Sequence, residues 1–250
     1  MNNQKTKRIL LTIIPLIVII VLIITLLCVL FGNTYVGIYK KVADADREQF
    51  AENTLKKLDA LEDLKTFKCT FRAKTGKGWD GGGEAEEAVI IFYVDGNKFR
   101  AEITRKAPIK FTATAWVNND TDDIYYKIKV DGKIQEGKYE SDQELSNELW
   151  DVIGLLRVYV TPISGVVSLK HSLNNEKITL YSYRNKLKAV SAEIDESGNG
   201  YKSETYFILG SNGTYRWKNQ YKVYENGKEF GFIYKEIQPS NEKVTMPNIQ

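Results

Sequence analysis

The stretch from Ile9 to Phe31 constrains this chain more than any other part of it. It reads ILLTIIPLIVIIVLIITLLCVLF and carries no charged side chain. A helix over these residues would be about 35 Å long at about 1.5 Å per residue, enough to cross a hydrocarbon core about 30 Å thick. We therefore predict a transmembrane helix over residues 9–31.

Two other interpretations of this stretch fit its sequence less well. A cleaved secretory signal has an apolar region of only about 7–15 residues, followed closely by a small-residue cleavage site. The nearest Ala-x-Ala here is at residues 43–45, well downstream. Lipidation of Cys28 would require a small residue just before it, but Leu26 and Leu27 precede it. The sequence thus favours an uncleaved anchor.

The charges that flank the apolar stretch predict its orientation. Lys5, Lys7 and Arg8 precede it with no acidic residue among them, whereas acidic residues follow soon after the lysines beyond it. The positive-inside rule then places the N-terminus in the cytoplasm and the rest of the chain outside the cell membrane, as a single-pass protein. The predicted parts are a cytoplasmic segment 1–8, the span 9–31, a juxtamembrane connector 32–42 and an extracytoplasmic domain 43–250.

Charge and cysteine content limit what the domain can do. The formal net charge is +3, which the three N-terminal basic residues account for, so the domain is close to neutral. Such a balance gives no footprint for nucleic acid binding. Outside the predicted span Cys69 is the one cysteine, which leaves no intramolecular disulfide, and we expect its thiol to be buried.

The residues after the connector change from a helical to a strand pattern. Residues 43–65 predict an amphipathic helix with Asp44 or Asp46 as N-cap. Its apolar positions are Phe50, Ala51, Leu55, Leu58, Leu61 and Leu64. From Thr66 onward apolar and polar residues alternate, which is typical of half-buried strands. Ala88 to Val94 is apolar on both faces and predicts a central strand covered on each side.

A second helix interrupts the strands near the middle of the chain. A capping-box pattern begins at Ser141, and Leu145, Leu149, Val152, Ile153 and Leu156 follow at helical spacing. We expect this helix to end near Pro162, since proline cannot continue a helix. Strands are then predicted at 177–184, 187–195, 201–209, 214–218, 220–225 and 229–238. Asp-Gly and Asn-Gly pairs at residues 95–96, 131–132 and 226–227 predict hairpin turns.

The resulting fold class is α+β. Strands joined mainly by hairpins form an antiparallel sheet, and about 10–11 of them should curl into an open half-barrel. The two amphipathic helices, which must bury their apolar stripes, are expected to cover that sheet. The transmembrane helix precedes this unit.

Two segments resemble a known family. The leucines of the first helix running into Phe67 and Phe71, and the hairpin Tyr93–Glu102, are similar to the opening of periplasmic lipoprotein carriers of the LolA and LolB type. The resemblance extends loosely over residues 45–250. It implies an unclosed barrel lidded by helices, with an apolar cavity for acyl chains. A carrier that shuttles must leave the membrane, which residues 9–31 would prevent.

Two functional hypotheses follow. In the first, the domain holds a lipid, an acyl chain or another apolar ligand near the membrane. The expected lining residues are Phe99, Ile103, Phe111, Ile124, Tyr126, Ile128, Leu149, Ile153 and Leu156, unless these side chains simply fill the core. In the second, the domain is a sensory or scaffold module that acts through an envelope protein partner. The bilayer is a partner through residues 9–31 in both.

Other motifs do not predict an enzyme, a metal or a cofactor. Residues 76–81 match GxGxxG, but a strand and not a helix follows, so we expect a hairpin loop. His171 is the one histidine and no nucleophile motif accompanies it. Asp120, Asp122 and Asp123 cluster in a loop without the spacing of an EF-hand, which favours a solvated turn over a calcium site.

Overall fold

A computed structural model describes residues 35–36, 38–58, 64–76, 85–140, 146–156, 161–209 and 215–248. The predicted cytoplasmic segment 1–8, the predicted span 9–31 and most of the GxGxxG loop lie outside these ranges. Within them, no helix is long and apolar enough to cross a membrane.

The described strands form a single antiparallel sheet. Their bounds are β1 Tyr35–Val36, β2 Tyr39–Lys41, β3 Thr66–Thr75, β4 Glu86–Asp95, β5 Lys98–Ala107, β6 Phe111–Asn118, β7 Asp123–Val130, β8 Lys133–Lys138, β9 Thr179–Tyr183, β10 Lys186–Ile194, β11 Gly200–Leu209, β12 Tyr215–Glu225 and β13 Lys228–Pro239. The order across the sheet is β1-β2-β9-β10-β11-β12-β13-β3-β4-β5-β6-β7-β8. Two meanders, β9–β13 and β3–β8, therefore meet where β13 pairs with β3.

Several hairpins use the turn residues that the sequence predicts. Asp131 and Gly132 have φ angles of 48° and 81°, and Asn226 and Gly227 have φ angles of 51° and 74°. Two consecutive residues with positive φ are the mark of a type I′ turn, whose twist matches that of the flanking strands. These turns fix the registers of β7 with β8 and of β12 with β13.

The strand predictions need three corrections. Residues 39–41, within the predicted connector, form β2 and pair with β9. Lys133–Lys138 forms β8, which the sequence analysis missed because its side chains are mostly polar and exposed. Residues 214–225, interpreted as two strands, contain the single strand β12, because polar residues at its centre hid its continuity.

The described helices are three, not two. A 3₁₀ turn at Asp44–Asp46 precedes α1, Arg47–Leu58, so the first helix begins later than residue 43. Helix α2 covers Asn147–Leu156. Residue 161, just before Pro162, is not helical, but Pro162 itself begins a third helix that was not predicted, α3, Pro162–Asn174. Proline is well suited to the first turn of a helix, where its missing N–H has no partner to lose.

All three helices lie on the same face of the sheet, which we call the inner face. Gly165 of α3 lies against Trp217 and Ile237, Asp151 of α2 pairs with Arg105, and Phe50 of α1 borders the same cavity as Phe207. The opposite, outer face carries no described helix. Consequently Val89 and Ile91, which point outward from β4, are only half-buried, and the prediction that this strand is covered on both sides is wrong.

The core lies between the inner face and the helices. Phe92, Phe111, Ile90 and Ile103 are among its largest fully buried side chains, and Cys69 is buried, as expected. Inward and outward residues alternate along these strands, as the period of two in a strand requires. The structure thus confirms an α+β fold built from a mainly antiparallel sheet with helices.

Candidate functional site

The nine residues predicted to line a ligand cavity come together in one apolar cluster. Six are buried and three are half-buried against the others. The buried members are Phe99, Ile103, Phe111, Tyr126, Ile128 and Leu149, and the half-buried members are Ile124, Ile153 and Leu156. The strand residues point inward from β5, β6 and β7, and the others belong to α2. Most of this cluster is therefore packed interior.

A cavity opens at the edge of this cluster, between the β7–β8 hairpin and the first turn of α2. We call it the edge cavity, and its volume is about 470 Å³. It is lined by Ile128, Val130, Asp131, Lys133, Ile134, Gln135 and Glu148. Its volume falls in the range of about 300–1,000 Å³ that small-molecule sites occupy. Among the nine predicted residues, Ile128 is the member of this lining.

The lining of the edge cavity combines apolar and polar groups. Ile128, Val130 and Ile134 provide aliphatic surface, while Lys133 and Gln135 provide donors from the exposed strand β8. An apolar wall with a few polar groups is the usual composition of a binding site, because apolar area supplies affinity and polar groups fix orientation. The arrangement suits a ligand that has both an apolar and a polar part.

A buried ion pair fixes α2 over this part of the sheet. The guanidinium of Arg105, with 9% of its side chain exposed, contacts the carboxylates of Asp151 on α2 and Glu86 on β4, the latter at 3.0 Å. Its charged carbon also lies 6.0 Å from the ring centroid of Phe111. The charge of Arg105 is thus compensated although it points into an apolar layer, and α2 is tied to β4 and β5.

The sequence analysis missed a second polar group on the inner face, formed by Trp217, Asn219 and Lys235. Asn219 is opposite Lys235 in the register of β12 and β13, and Trp217 is the next inward residue along β12. Diagonal neighbours of this kind have Cα atoms about 7–8 Å apart. Lys235 lies over the ring of Phe71 at 5.9 Å and has no carboxylate partner among the described residues.

The indole N–H of Trp217 is the unusual feature of this group. Its side chain is 3% exposed, and its Nε1–H is buried without a hydrogen-bond acceptor among the described residues. Asn219, by contrast, donates to the hydroxyl oxygens of Ser203 and Thr205, at 3.1 and 2.9 Å. A buried, unpaired N–H is costly and calls for an explanation. The sequence signal was Lys235 itself, which interrupts the inward series Ile233, Lys235, Ile237.

A smaller cavity of about 80 Å³ lies under α1. Phe50, Thr54, Leu187 and Phe207 are among its lining residues. A volume of this size accommodates a few water molecules and not an acyl chain. We therefore assign the candidate site to the edge cavity.

Among the described residues, those with catalytic or metal-binding potential do not assemble into a site. His171 lies on the exposed side of α3, and its Nε2 is 3.4 Å from the Asn175 amide nitrogen. Asp123 is engaged by Lys138 and Thr121, and Asp120 accepts from Asn97. Within the described ranges, no group of three His, Cys, Asp or Glu residues could hold a metal ion.

No protein-family model matches this sequence, and no curated protein matches it.

Proposed function

We propose that this protein is a membrane-anchored extracytoplasmic binding domain that holds a lipid, an acyl chain or another apolar ligand near the membrane. The proposal includes an open half-barrel of the lipoprotein-carrier type and the anchor at residues 9–31. The observation that carries it is the edge cavity of about 470 Å³, which begins at Ile128 on the margin of the apolar cluster.

The lining of this cavity supports an amphiphilic ligand. An acyl chain would contact Ile128, Val130 and Ile134, while a head group with hydrogen-bond acceptors would meet Lys133 and Gln135. Burying apolar surface contributes about 0.8 kcal/mol per methylene. About five methylenes in the cavity would therefore contribute about 4 kcal/mol of apolar burial.

A photoactivatable phospholipid with a diazirine in its acyl chain provides the test. The full chain is placed in lipid nanodiscs that contain this probe, irradiated, and digested for mass spectrometry. We expect crosslinks on peptides from β7, β8 and α2. Crosslinks confined to residues 9–31 would contradict the proposal, because they would report the anchor alone.

A substitution that fills the cavity tests whether the crosslinks come from a ligand inside it. Val130→Trp adds an indole at a half-buried lining position and should reduce the β7–β8 crosslinks at least fivefold. Ile194→Trp is the matched control, because Ile194 is 48% exposed on β10 and outside the edge cavity. Crosslinks that are equally strong in both variants would place the ligand elsewhere.

A second function, action through a protein partner, is favoured by a different observation. The helices expose Trp150, Ile163 and Val167, at 59%, 55% and 58% of their surface. Ile163 and Val167 are four residues apart on α3 and so share one side of it. Recovery of a stoichiometric protein with the wild type, but not with Ile163→Lys plus Val167→Lys, would support this function over ligand binding.

A further inference from the structure

The outer face of one half of the sheet, from β2 through β9–β13 to β3, carries a surplus of positive charge. We call this surface the basic face. Its acidic residues are each held by their own basic partners. These pairs are Glu204 with Lys188 and Lys202, Glu236 with Arg216, and Glu229 with Lys222. These carboxylates therefore neutralise their own basic partners and none of the other cations on the basic face.

Other cations on the strands of the basic face have no carboxylate partner among the described residues. They include Lys41, Lys68, Arg72, Lys74, Lys186 and Lys218, which the registers place on the side of the sheet opposite the helices. None of them forms a described ion pair.

The outer face of the other half, β4–β8, is arranged differently. Most of its outward cations are paired along or across strands: Arg100 with Glu102 and Glu242, Lys106 with Glu87, Lys127 with Glu136, and Lys138 with Asp123. The surplus charge is thus confined to one half of the sheet, although both halves share the same surface. Such segregation creates a local positive potential in a chain whose formal net charge is only +3.

Aromatic rings lie beneath several of the unpaired cations. The Lys218 ammonium lies 4.6 Å from the ring centroid of Tyr206, and the Arg72 guanidinium lies 5.8 Å from that of Tyr234. Lys68 is 5.3 Å from that of Tyr93. Interleaved tyrosines and basic residues with apolar stems are characteristic of surfaces at the head-group level of a bilayer.

The path of the chain places this half of the sheet next to the predicted anchor. Tyr39 at the start of β2 contacts the rings of Tyr183 and Tyr206 edge-on, at 6.4 and 6.2 Å between centroids. Strand β2, the first strand of the basic face, begins at Tyr39, eight residues after the predicted span ends at Phe31. Eight extended residues reach at most about 29 Å. The basic face therefore begins within that distance of the predicted span.

We propose that the basic face rests on the anionic phospholipid head groups of the leaflet that surrounds the anchor. Phosphate groups would take the place of the missing carboxylates, and the tyrosines would contact the glycerol region. This contact uses the face opposite the helices and so does not involve the inner face. It depends on the anchor at residues 9–31 and is independent of whether the edge cavity holds a ligand.

Lysine footprinting on the full chain tests this contact. The protein is reconstituted in nanodiscs of neutral phosphatidylcholine, or of phosphatidylcholine with 40% anionic phosphatidylglycerol, and acylated with a water-soluble amine reagent. We expect the acylation rates of Lys68, Lys186 and Lys218 to fall at least threefold in the anionic discs. Those of Lys127 and Lys129, on the other half of the sheet, should not change. High salt should abolish the difference, since the Debye length is about 3 Å at 1 M.

Two matched triple variants test whether protection depends on the basic face or only on the total positive charge of the protein. Lys68→Gln with Lys186→Gln and Lys218→Gln should remove the protection of Lys41, whereas Lys98→Gln with Lys127→Gln and Lys129→Gln should retain it. Equal acylation in both kinds of disc, equal protection on both halves, or failure of the chain to enter the discs would each overturn the proposal. Protection by soluble polyphosphate in neutral discs, without a matching effect of phosphatidylglycerol, would assign the face to a soluble polyanion.

Discussion

The guanidinium of Arg47, the first residue of α1, donates to the carbonyl oxygen of Asn175, the C-cap of α3, at 2.6 Å. The same group also reaches the carbonyl oxygens of Ser172, Leu173 and Ile178. The last carbonyls of a helix have no intrahelical donors, and a cation there also interacts favourably with the helix dipole. One side chain thus caps α3 and attaches α1 to it.

We expect Arg47→Ala to lower the free energy of unfolding by about 2–3 kcal/mol, since hydrogen bonds to charged groups contribute about 1.5–3 kcal/mol and these act together. Chemical denaturation of the full chain in detergent measures it. Lys56→Ala is the control: its pair with Glu52 is exposed, so a change below about 0.5 kcal/mol is expected. Equal effects of the two substitutions would show that Arg47 does not cap α3.

Two glycines in neighbouring helices should respond oppositely to a larger side chain. A Cβ on Gly165 would lie 3.3 Å from Trp217 Cγ, whereas one on Gly154 would meet nothing within 4 Å. Gly165→Leu should destabilise by about 2–3 kcal/mol because it forces α3 away from the sheet. Gly154→Ala should stabilise by about 0.5–1 kcal/mol through helix propensity. Thermal melting of both variants measures these two changes in stability.

The attachment of α2 to the sheet depends on Asp151. Asp151→Asn removes the negative charge next to buried Arg105, which then retains Glu86 as its carboxylate partner. Breaking buried pairs costs about 3–5 kcal/mol, but Asp151 is 31% exposed, so we expect about 1–2 kcal/mol after solvent screening. Hydrogen exchange in α2 should accelerate more than in α3, and equal acceleration in both would contradict a local role.

The stability of the domain should fall in acid as Glu204 becomes protonated. Burial raises the pKa of Glu204, but hydrogen bonds from Lys202 and Tyr206 and the charge of Lys188 outweigh it and lower the pKa to about 2. A depressed carboxyl pKa contributes stability above the unfolded value near 4.3, and this is lost as the pH falls towards the folded value. The stability that Glu204 contributes is therefore lost between about pH 4.5 and about pH 2.

The variant Glu204→Gln isolates this contribution. At pH 7 it should be less stable than the wild type by about 1–2 kcal/mol, after allowance for partial exposure. As the pH falls from 4.5 to 2, the difference between the two proteins should shrink to near zero. Melting temperatures measured across this window provide the comparison. A difference that is constant with pH would show that the Glu204 charge does not stabilise the sheet.

The sequence predicted much of the fold because local physics determines it. Alternation identified the strands around Phe71 and Ile103, and Asp131-Gly132 identified its turn, since each pattern has one favoured backbone geometry. The prediction missed the helix that begins at Pro162, because proline was considered only as a residue that cannot continue a helix, although it also begins helices. Polar β8 was missed because an edge strand needs no apolar face.

The candidate site was predictable only in part. Apolar residues that point inward can be listed from periodicity, and Ile128 is such a residue. Whether they fill the core or border a cavity depends on how α2 lies against the β7–β8 hairpin, which no local pattern encodes. The pairing of Asn219 with Lys235 likewise requires the register of β12 and β13.

The position of β13 between β12 and β3 has a consequence for the order in which the domain can be made. Synthesis proceeds from the N-terminus, so β3 to β8 are made before β9 to β13, and the edge of β3 that faces β13 stays unpaired until β13 is made. Until then Thr66–Thr75 is an open edge with Phe67, Cys69 and Phe71 on one side, the kind of edge that aggregates. The joining of the two meanders therefore depends on the synthesis of β13. A chain that stops before residue 228 lacks β13, so its two meanders remain separate.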